Sequence, residues 1–164
     1  GDSTSGRDMR IKILWVGKTK NPMMKALASD YLERIRHMVS CEVREVRDSS
    51  SRRVPRREDR ISAEAEELTS SLEPGGKLVA LDERGKEFTS AELARWLERE
   101  QNQGTKKIDF VIGGAEGLSP KILQRAHLAL SLSRMTWTHE MCRVLLLEQI
   151  YRSSCILRNL PYHK

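Results

Sequence analysis

The stretch Phe110-Val-Ile-Gly-Gly-Ala-Glu-Gly-Leu-Ser-Pro120 constrains the fold more than any other part of the chain. An apolar run, Ile108 to Ile112, ends in Gly113, Gly114 and Gly117, and Ser119-Pro120 then opens a helix. Glycine permits φ > 0 and lets a ligand approach the main chain closely. A buried strand that ends in glycines and turns into a helix is where α/β proteins bind nucleotide-like ligands. The spacing is not G-x-G-x-x-G, and the Lys-Ser/Thr of a P-loop is missing. The glycines leave two readings open. One is a nucleotide-like ligand, neither NAD nor ATP, held by backbone; the other is an ordinary tight βα turn.

Strands and helices alternate around this loop. Residues 10–16 alternate and then become continuously apolar, as a strand does. Asn21 is a good helix cap and Pro22 a good first helical residue. Met24, Leu27, Ala28, Tyr31, Ile35 and Met38 then follow helical spacing. Residues 41–46 read as a second strand and 61–72 as a helix, broken by Glu73-Pro-Gly-Gly76. Residues 77–82 read as a third strand, with Glu83-Arg-Gly85 as a turn. Thr89 and Glu92 form a capping box ahead of an apolar stripe of Leu93, Trp96 and Leu97. Residues 107–112 are the fourth strand. Pro120 to about Leu130 reads as a helix, 131–136 as a short fifth strand and His139–Leu157 as a long helix. This succession predicts an α/β fold, a mostly parallel sheet with helices on both faces. Ligand loops then belong after Leu81, Ile112 and Met135. The apolar residues of 139–157 surround too much of that helix for a one-sided surface element, which suggests a dimer interface.

A length of 164 residues suits one domain with a sizeable core. We assign 9–164 to that domain and read 1–8 as a tag or flexible tail. No apolar run reaches the length of a membrane span, and no signal peptide is legible. Lys+Arg exceed Asp+Glu by 29 to 23, a net charge of +6. A small basic protein often meets a polyanion, though a basic surface with no partner is the alternative. Residues 47–60 hold six arginines and read as a solvated loop. Phosphate or RNA contact and plain solvation are both open there. Cys41, Cys142 and Cys155 have neither disulfide-framework nor zinc-site spacing. Reduced buried thiols point to the cytoplasm.

Three segments carry a family likeness: "VALDERGKEFTSAELA", "FVIGGAEGLSP" and "ALSLSRMTWTHEMCRVLLLEQIYRSSCILRNLPYHK". With the opening "IKILWVGKTK", they resemble the ribosomal large-subunit methyltransferase H family of the SPOUT class. The likeness covers nearly the whole chain from Met9 and is weak over 48–60. It implies a deep trefoil knot at the carboxyl end, which sequence reasoning alone would not give. It also implies a homodimer that transfers a methyl group from S-adenosyl-L-methionine to N3 of a pseudouridine in ribosomal RNA, without a metal. The positions it implies for the methyl donor are Leu81, Gly113, Leu132, Ser133, Arg134, Met135, Thr136 and Trp137. Contacts at Arg134 and Trp137 are expected through main chain.

The imide N3–H must lose its proton on methylation, so a base or cation nearby would help. Four side chains in the matched end segment are candidates: His139, Arg143, Tyr162 and His163. His163 reads as an RNA-contacting or proton-handling group, or as a surface histidine. Tyr162 reads as a base-stacking ring or as packing. Arg143 reads as a phosphate or imide-anion partner, or as a helix-surface ion pair. His139 reads as a helix cap or an orienting group for Arg143, with catalysis as the alternative. Glu116 reads as a loop cap or a contact to the donor's amine. His37 and His127 read as solvated helix residues. Two rival functions remain: a SPOUT enzyme acting on another RNA such as transfer RNA, and a non-catalytic ribosome-binding factor.

Overall fold

Arg10–Val16 (β1) is an interior strand of the sheet, and its side chains are buried on both faces from Ile11 onward. The computed structural model describes residues 9–47, 56–72 and 74–162. The expected tail at 1–8 and most of the arginine-rich loop lie outside the described residues. Pro22–Arg36 (α1) follows β1, with the Asn21 side chain accepting from Met23 and Met24 N–H. Ser40–Val46 (β2), Arg57–Ser70 (α2), Lys77–Glu87 (β3) and Ser90–Asn102 (α3) come next. Lys107–Ile112 (β4), Pro120–Arg125 (α4), Leu128–Ser131 (β5) and His139–Leu157 (α5) complete the chain. The sheet order is β2-β1-β4-β3-β5, and every strand pair is parallel.

Strand alternation divides the core in two. Ile11, Ile13, Trp15, Val79, Ile108, Phe110 and Ile112 face α1, α3 and α5. Leu14, Val16, Leu78 and Val111 face α2 and α4 through Ala65, Leu68 and Ile122. Both sheet faces are covered, as an all-parallel sheet requires. Val144, Leu146, Leu147 and Ile150 of α5 are buried within the chain itself. Much of the wide apolar surface of α5 is therefore taken up by the sheet, α1 and α3.

Five expectations change. The helix expected at 61–72 begins at Arg57, where Glu58 and Asp59 in the first turn suit the positive end of the helix dipole. The turn expected at 83–85 is a bulge inside one longer strand. Leu81 and Lys86 both pair with Leu130, so residues 82–85 leave the ladder. An added Cβ on Gly85 would lie 2.6 Å from Ala129 O, which explains glycine there.

The expected helix to Leu130 stops at Arg125, because Ala126 turns extended at ψ 135°. The fifth strand is accordingly 128–131 rather than 131–136, and 132–138 is loop. His127 is exposed, as expected, but it stands beyond the helix. Its Nδ1 accepts the Leu78 N–H at 2.9 Å, and its own N–H donates to Leu78 O at 2.8 Å. These two bonds start the β3–β5 pairing and fix where α4 must end.

Candidate functional site

The carboxyl ends of β3, β4 and β5 surround a cleft of about 820 Å³. Three loops build it: the bulge Leu81–Arg84, the glycine loop Ile112–Leu118 and the loop Leu132–Thr138. Arg57 and Ile61 of α2, Leu123 of α4, and His139 and Cys142 of α5 close its sides.

The glycine loop is folded back on itself. Gly117 N–H donates to Gly114 O at 3.0 Å, and Gly117 has φ +84°. An added Cβ on Gly113 would lie 2.6 Å from Gly117 C and 2.9 Å from Leu118 N. Gly113 is thus required by the loop's own backbone. The ligand is not what a side chain there would first meet, so Gly113→Val is not a clean probe of ligand contact. Ser119 caps α4 by accepting from Ile122 N–H.

The other loops are pinned by side chains. Thr136 Oγ1 donates to Glu83 Oε2 at 3.0 Å, which ties the third loop to the bulge. Ser131 Oγ donates to Ser133 O at 2.9 Å, and Ser133 Oγ accepts Met135 N–H at 2.9 Å. Arg60 Nη2 donates to Glu116 Oε1 at 2.6 Å, tying α2 to the glycine loop. Glu116 is therefore an inter-element ion-pair partner, alongside its two sequence readings. Leu81, Leu130, Leu132, Met135 and Trp137 give the cleft apolar walls, and Asp82, Glu83 and Glu116 give it carboxylates. Met135 is 70% exposed and Trp137 39%, so apolar surface stands open at the mouth.

Of the eight positions implied for the methyl donor, Leu81, Gly113, Leu132, Ser133, Met135, Thr136 and Trp137 border this cleft. Arg134 points away; it is highly exposed and pairs with Glu87 at 3.5 Å. His139 also borders the cleft, as the first residue of α5 behind its Thr138 cap.

Arg143 does not border it. The side chain is fully buried, Nη1 donates to Thr19 Oγ1 at 2.8 Å, and Nη2 donates to Val16 O at 2.7 Å. It is neither a surface ion pair nor a wall of this cleft, because the turn after β1 claims its donors. Tyr162 lies elsewhere again, on α1 and α5. Its ring packs edge-on against Tyr151 at 4.7 Å, and its hydroxyl meets Tyr31 at 3.3 Å and Glu148 at 2.9 Å. The hydrogen bond to Tyr31, burial and the Glu148 carboxylate raise its pKa and keep it a phenol. His163 lies outside the described residues.

Sequence reasoning missed several parts of the site. Cys142 borders the cleft, and burial raises its thiol pKa. Glu140 accepts two backbone N–H groups, from Lys20 at 3.0 Å and Asn21 at 3.1 Å. Those bonds hold its pKa below the ordinary carboxylate value. A first-turn acid usually reads as a dipole partner, so nothing in the sequence marks this long-range role. Among the described residues no cluster of His, Cys, Asp and Glu could hold a metal ion, and no helix is long and apolar enough to cross a membrane.

Residues 9–163 match the family described as "Predicted SPOUT methyltransferase". The ribosomal RNA large subunit methyltransferase H of Pelobacter propionicus is 44% identical over 155 residues, 94% of this chain and 99% of the relative. Its namesake from Nitratidesulfovibrio vulgaris is 44% identical over 153 residues, 93% of this chain and 97% of the relative. The fold is similar to the crystal structure of a probable methyltransferase from Bordetella pertussis. That likeness has a TM-score of 0.56 at 12% identity and covers 94% of this chain and 99% of the other. The chain belongs to the SPOUT methyltransferases, within the ribosomal RNA large subunit methyltransferase H family.

Proposed function

We propose that the protein is a homodimeric, S-adenosyl-L-methionine-dependent enzyme that methylates N3 of a pseudouridine in large-subunit ribosomal RNA, with its carboxyl end knotted. The observation that carries this reading is the cleft. Seven of the eight positions that the family likeness implies for the methyl donor border one space at the ends of three parallel strands.

The cleft fits that donor chemically. Apolar walls from Leu81, Leu132 and Trp137 suit a flat base, and folded-back glycine backbone suits close approach. The lining carboxylates offer acceptors to a cationic ligand: Glu83, and Asp82 and Glu116 beside their arginine partners Arg84 and Arg60. When bound, the donor supplies an electrophilic methyl group on a sulfonium sulfur.

The protein's own task is positioning, an effect worth up to ~7–11 kcal/mol. The three loops would hold the donor beside the entering base. The donor would supply the methyl group to N3, its sulfur keeping the electron pair of the broken C–S bond, and the N3 proton would leave to a base. His139, at the cleft wall, is our assignment for that base. Arg143 acts through the β1–α1 turn rather than by touching substrate. Tyr162 and His163 are assigned to RNA contact. Tyr162 stands away from its own chain's cleft, so we assign its action to the partner's cleft. Met23, Leu27 and Leu160, exposed on and beside α1 and α5, support a dimer through that face.

Calorimetry with S-adenosyl-L-methionine, paired with methyl transfer to ribosomes from a strain lacking the gene, tests the reading. Uptake of the donor with methylation of ribosomal RNA at a pseudouridine N3 is expected. Methylation of transfer RNA instead would move the substrate. Absence of donor binding would leave a ribosome-binding factor.

A further inference from the structure

The turn Gly17–Lys20, after β1, is held more firmly than a surface turn needs. Gly17 N–H donates to Val46 O at 2.8 Å. Thr19 is 9% exposed and takes a bond from the buried Arg143 guanidinium, which also grips Val16 O. Arg143 in turn lies over the Trp15 ring at 4.9 Å. On the far side of the turn, Glu140 accepts the N–H groups of Lys20 and Asn21. Both anchors come from the first turn and a half of α5. Residues three apart share a helix face. Glu140 and Arg143 face the turn, whereas His139 and Cys142 face the cleft. One helix end therefore fixes the turn beside the cleft.

The pinned turn presents two lysines. Lys18 and Lys20 are both exposed, and among the described residues neither ammonium has a carboxylate partner. Lysine chains that merely aid solubility have no need of a rigid backbone beneath them. A fixed pair of cations beside a cleft suits a phosphodiester strand, since bound phosphates release counterions and fixed donors lose less entropy on binding.

Resting on the proposed function, we infer that Lys18 and Lys20 form a preorganised phosphate-binding lip for the RNA strand that enters the cleft. Arg143, Thr19 and Glu140 are its positioning residues. The lip contacts backbone only, so it adds affinity without sequence preference.

The test uses full-length protein and ribosomes from a strain lacking the gene. Equilibrium binding by co-sedimentation, KM and kcat for methyl transfer, and donor affinity by calorimetry are measured across a potassium chloride series. The double variant Lys18→Ala, Lys20→Ala should weaken ribosome binding roughly tenfold and reduce the salt slope by about one per lysine. Its kcat and donor affinity should hold. Thr19→Val keeps both charges but loosens the turn. It too should raise KM with kcat unchanged, and Thr19→Ser should restore it. An unchanged KM or salt slope in the double variant would overturn the inference, as would a parallel loss of donor affinity. Thr19→Val behaving as wild type would overturn the preorganised part. A wild type that binds ribosomes without methylating them would sink the proposed function alone, because the lysine variants are still judged on binding. A wild type that does not bind ribosomes would overturn both.

Discussion

Glu140 accepts the backbone N–H of Asn21 at 3.1 Å, joining the start of the last helix to the cap of the first. The same carboxylate takes Lys20 N–H at 3.0 Å. Both bonds favour the ionised acid, and the Lys20 bond is the largest cause of its lowered pKa. The sign follows from that shift. A carboxyl whose folded pKa is depressed stabilises the fold above its unfolded pKa, and the contribution fades as pH falls through the folded value. Wild type should therefore lose melting temperature faster than Glu140→Gln as pH drops from about 5 through the carboxylate range. Parallel melting curves for the two proteins would refute the clamp.

Arg143 should behave as a strut. Replacing it with Met strands Val16 O and the Thr19 hydroxyl in a buried setting. Hydrogen bonds from a charged donor contribute about 1.5–3 kcal/mol each. Urea denaturation should show a loss of about 3 kcal/mol in Arg143→Met, and a smaller loss in Arg143→Lys, which keeps the charge without the fork. Full stability in Arg143→Met with methyl transfer abolished would return the guanidinium to the reaction itself.

Gly113 and Gly117 differ in why they are glycine. Gly117 has φ +84° with open space around its missing Cβ, so Gly117→Ala adds only backbone strain of about 1 kcal/mol. Gly113→Ala drives a carbon to 2.6 Å from Gly117 C, where main chain must move. Overpacking of that kind costs about 1–3 kcal/mol. Gly113→Ala should melt lower than Gly117→Ala and bind S-adenosyl-L-methionine more weakly. The reverse order would mean that the loop opens in solution.

Cys142 gives an independent view of the cleft. Burial raises its pKa, so the thiol stays neutral near pH 8 and alkylates more slowly than a free cysteine. Bound S-adenosyl-L-methionine should slow iodoacetamide labelling of Cys142 further and leave the already buried Cys41 and Cys155 unchanged. Labelling of Cys142 that ignores the ligand would place the ligand elsewhere.

Local signals explain what the sequence revealed. The Asn21 cap and the Thr89–Glu92 capping box lie within a few residues of the helices they start, and both stand where expected. β4 and its glycine exit were legible because burial on both faces leaves an unbroken apolar run. The cleft residues Leu132, Ser133, Met135, Thr136 and Trp137 came from family likeness, whereas pattern alone misplaced their strand. His127 shows why: its bonds to Leu78 span 49 residues, and no local pattern encodes them. Arg143 and Glu140 were hidden for the same reason, since their partners stand across the molecule in the β1–α1 turn.

The last prediction separates packing from catalysis at Tyr162. Its ring rests on Tyr151 and its hydroxyl bonds Glu148, which also takes Arg152 at 2.6 Å. Tyr162→Phe keeps the ring and removes the hydroxyl's two half-buried hydrogen bonds, to Tyr31 and Glu148, a loss of about 0.5–1.5 kcal/mol each. Donor affinity should not change, because Tyr162 does not border the cleft. Deleting Tyr162-His163-Lys164 should likewise leave donor binding nearly intact, lower the melting temperature modestly and remove most methyl transfer to ribosomes. His163→Ala alone should reproduce much of that loss with no change in melting. Light scattering on each variant checks that the dimer persists, so that lost activity is not lost assembly. If the deletion reduces donor binding in proportion to stability, the tail is a packing element. If it methylates ribosomes as wild type does, neither Tyr162 nor His163 takes part in the reaction.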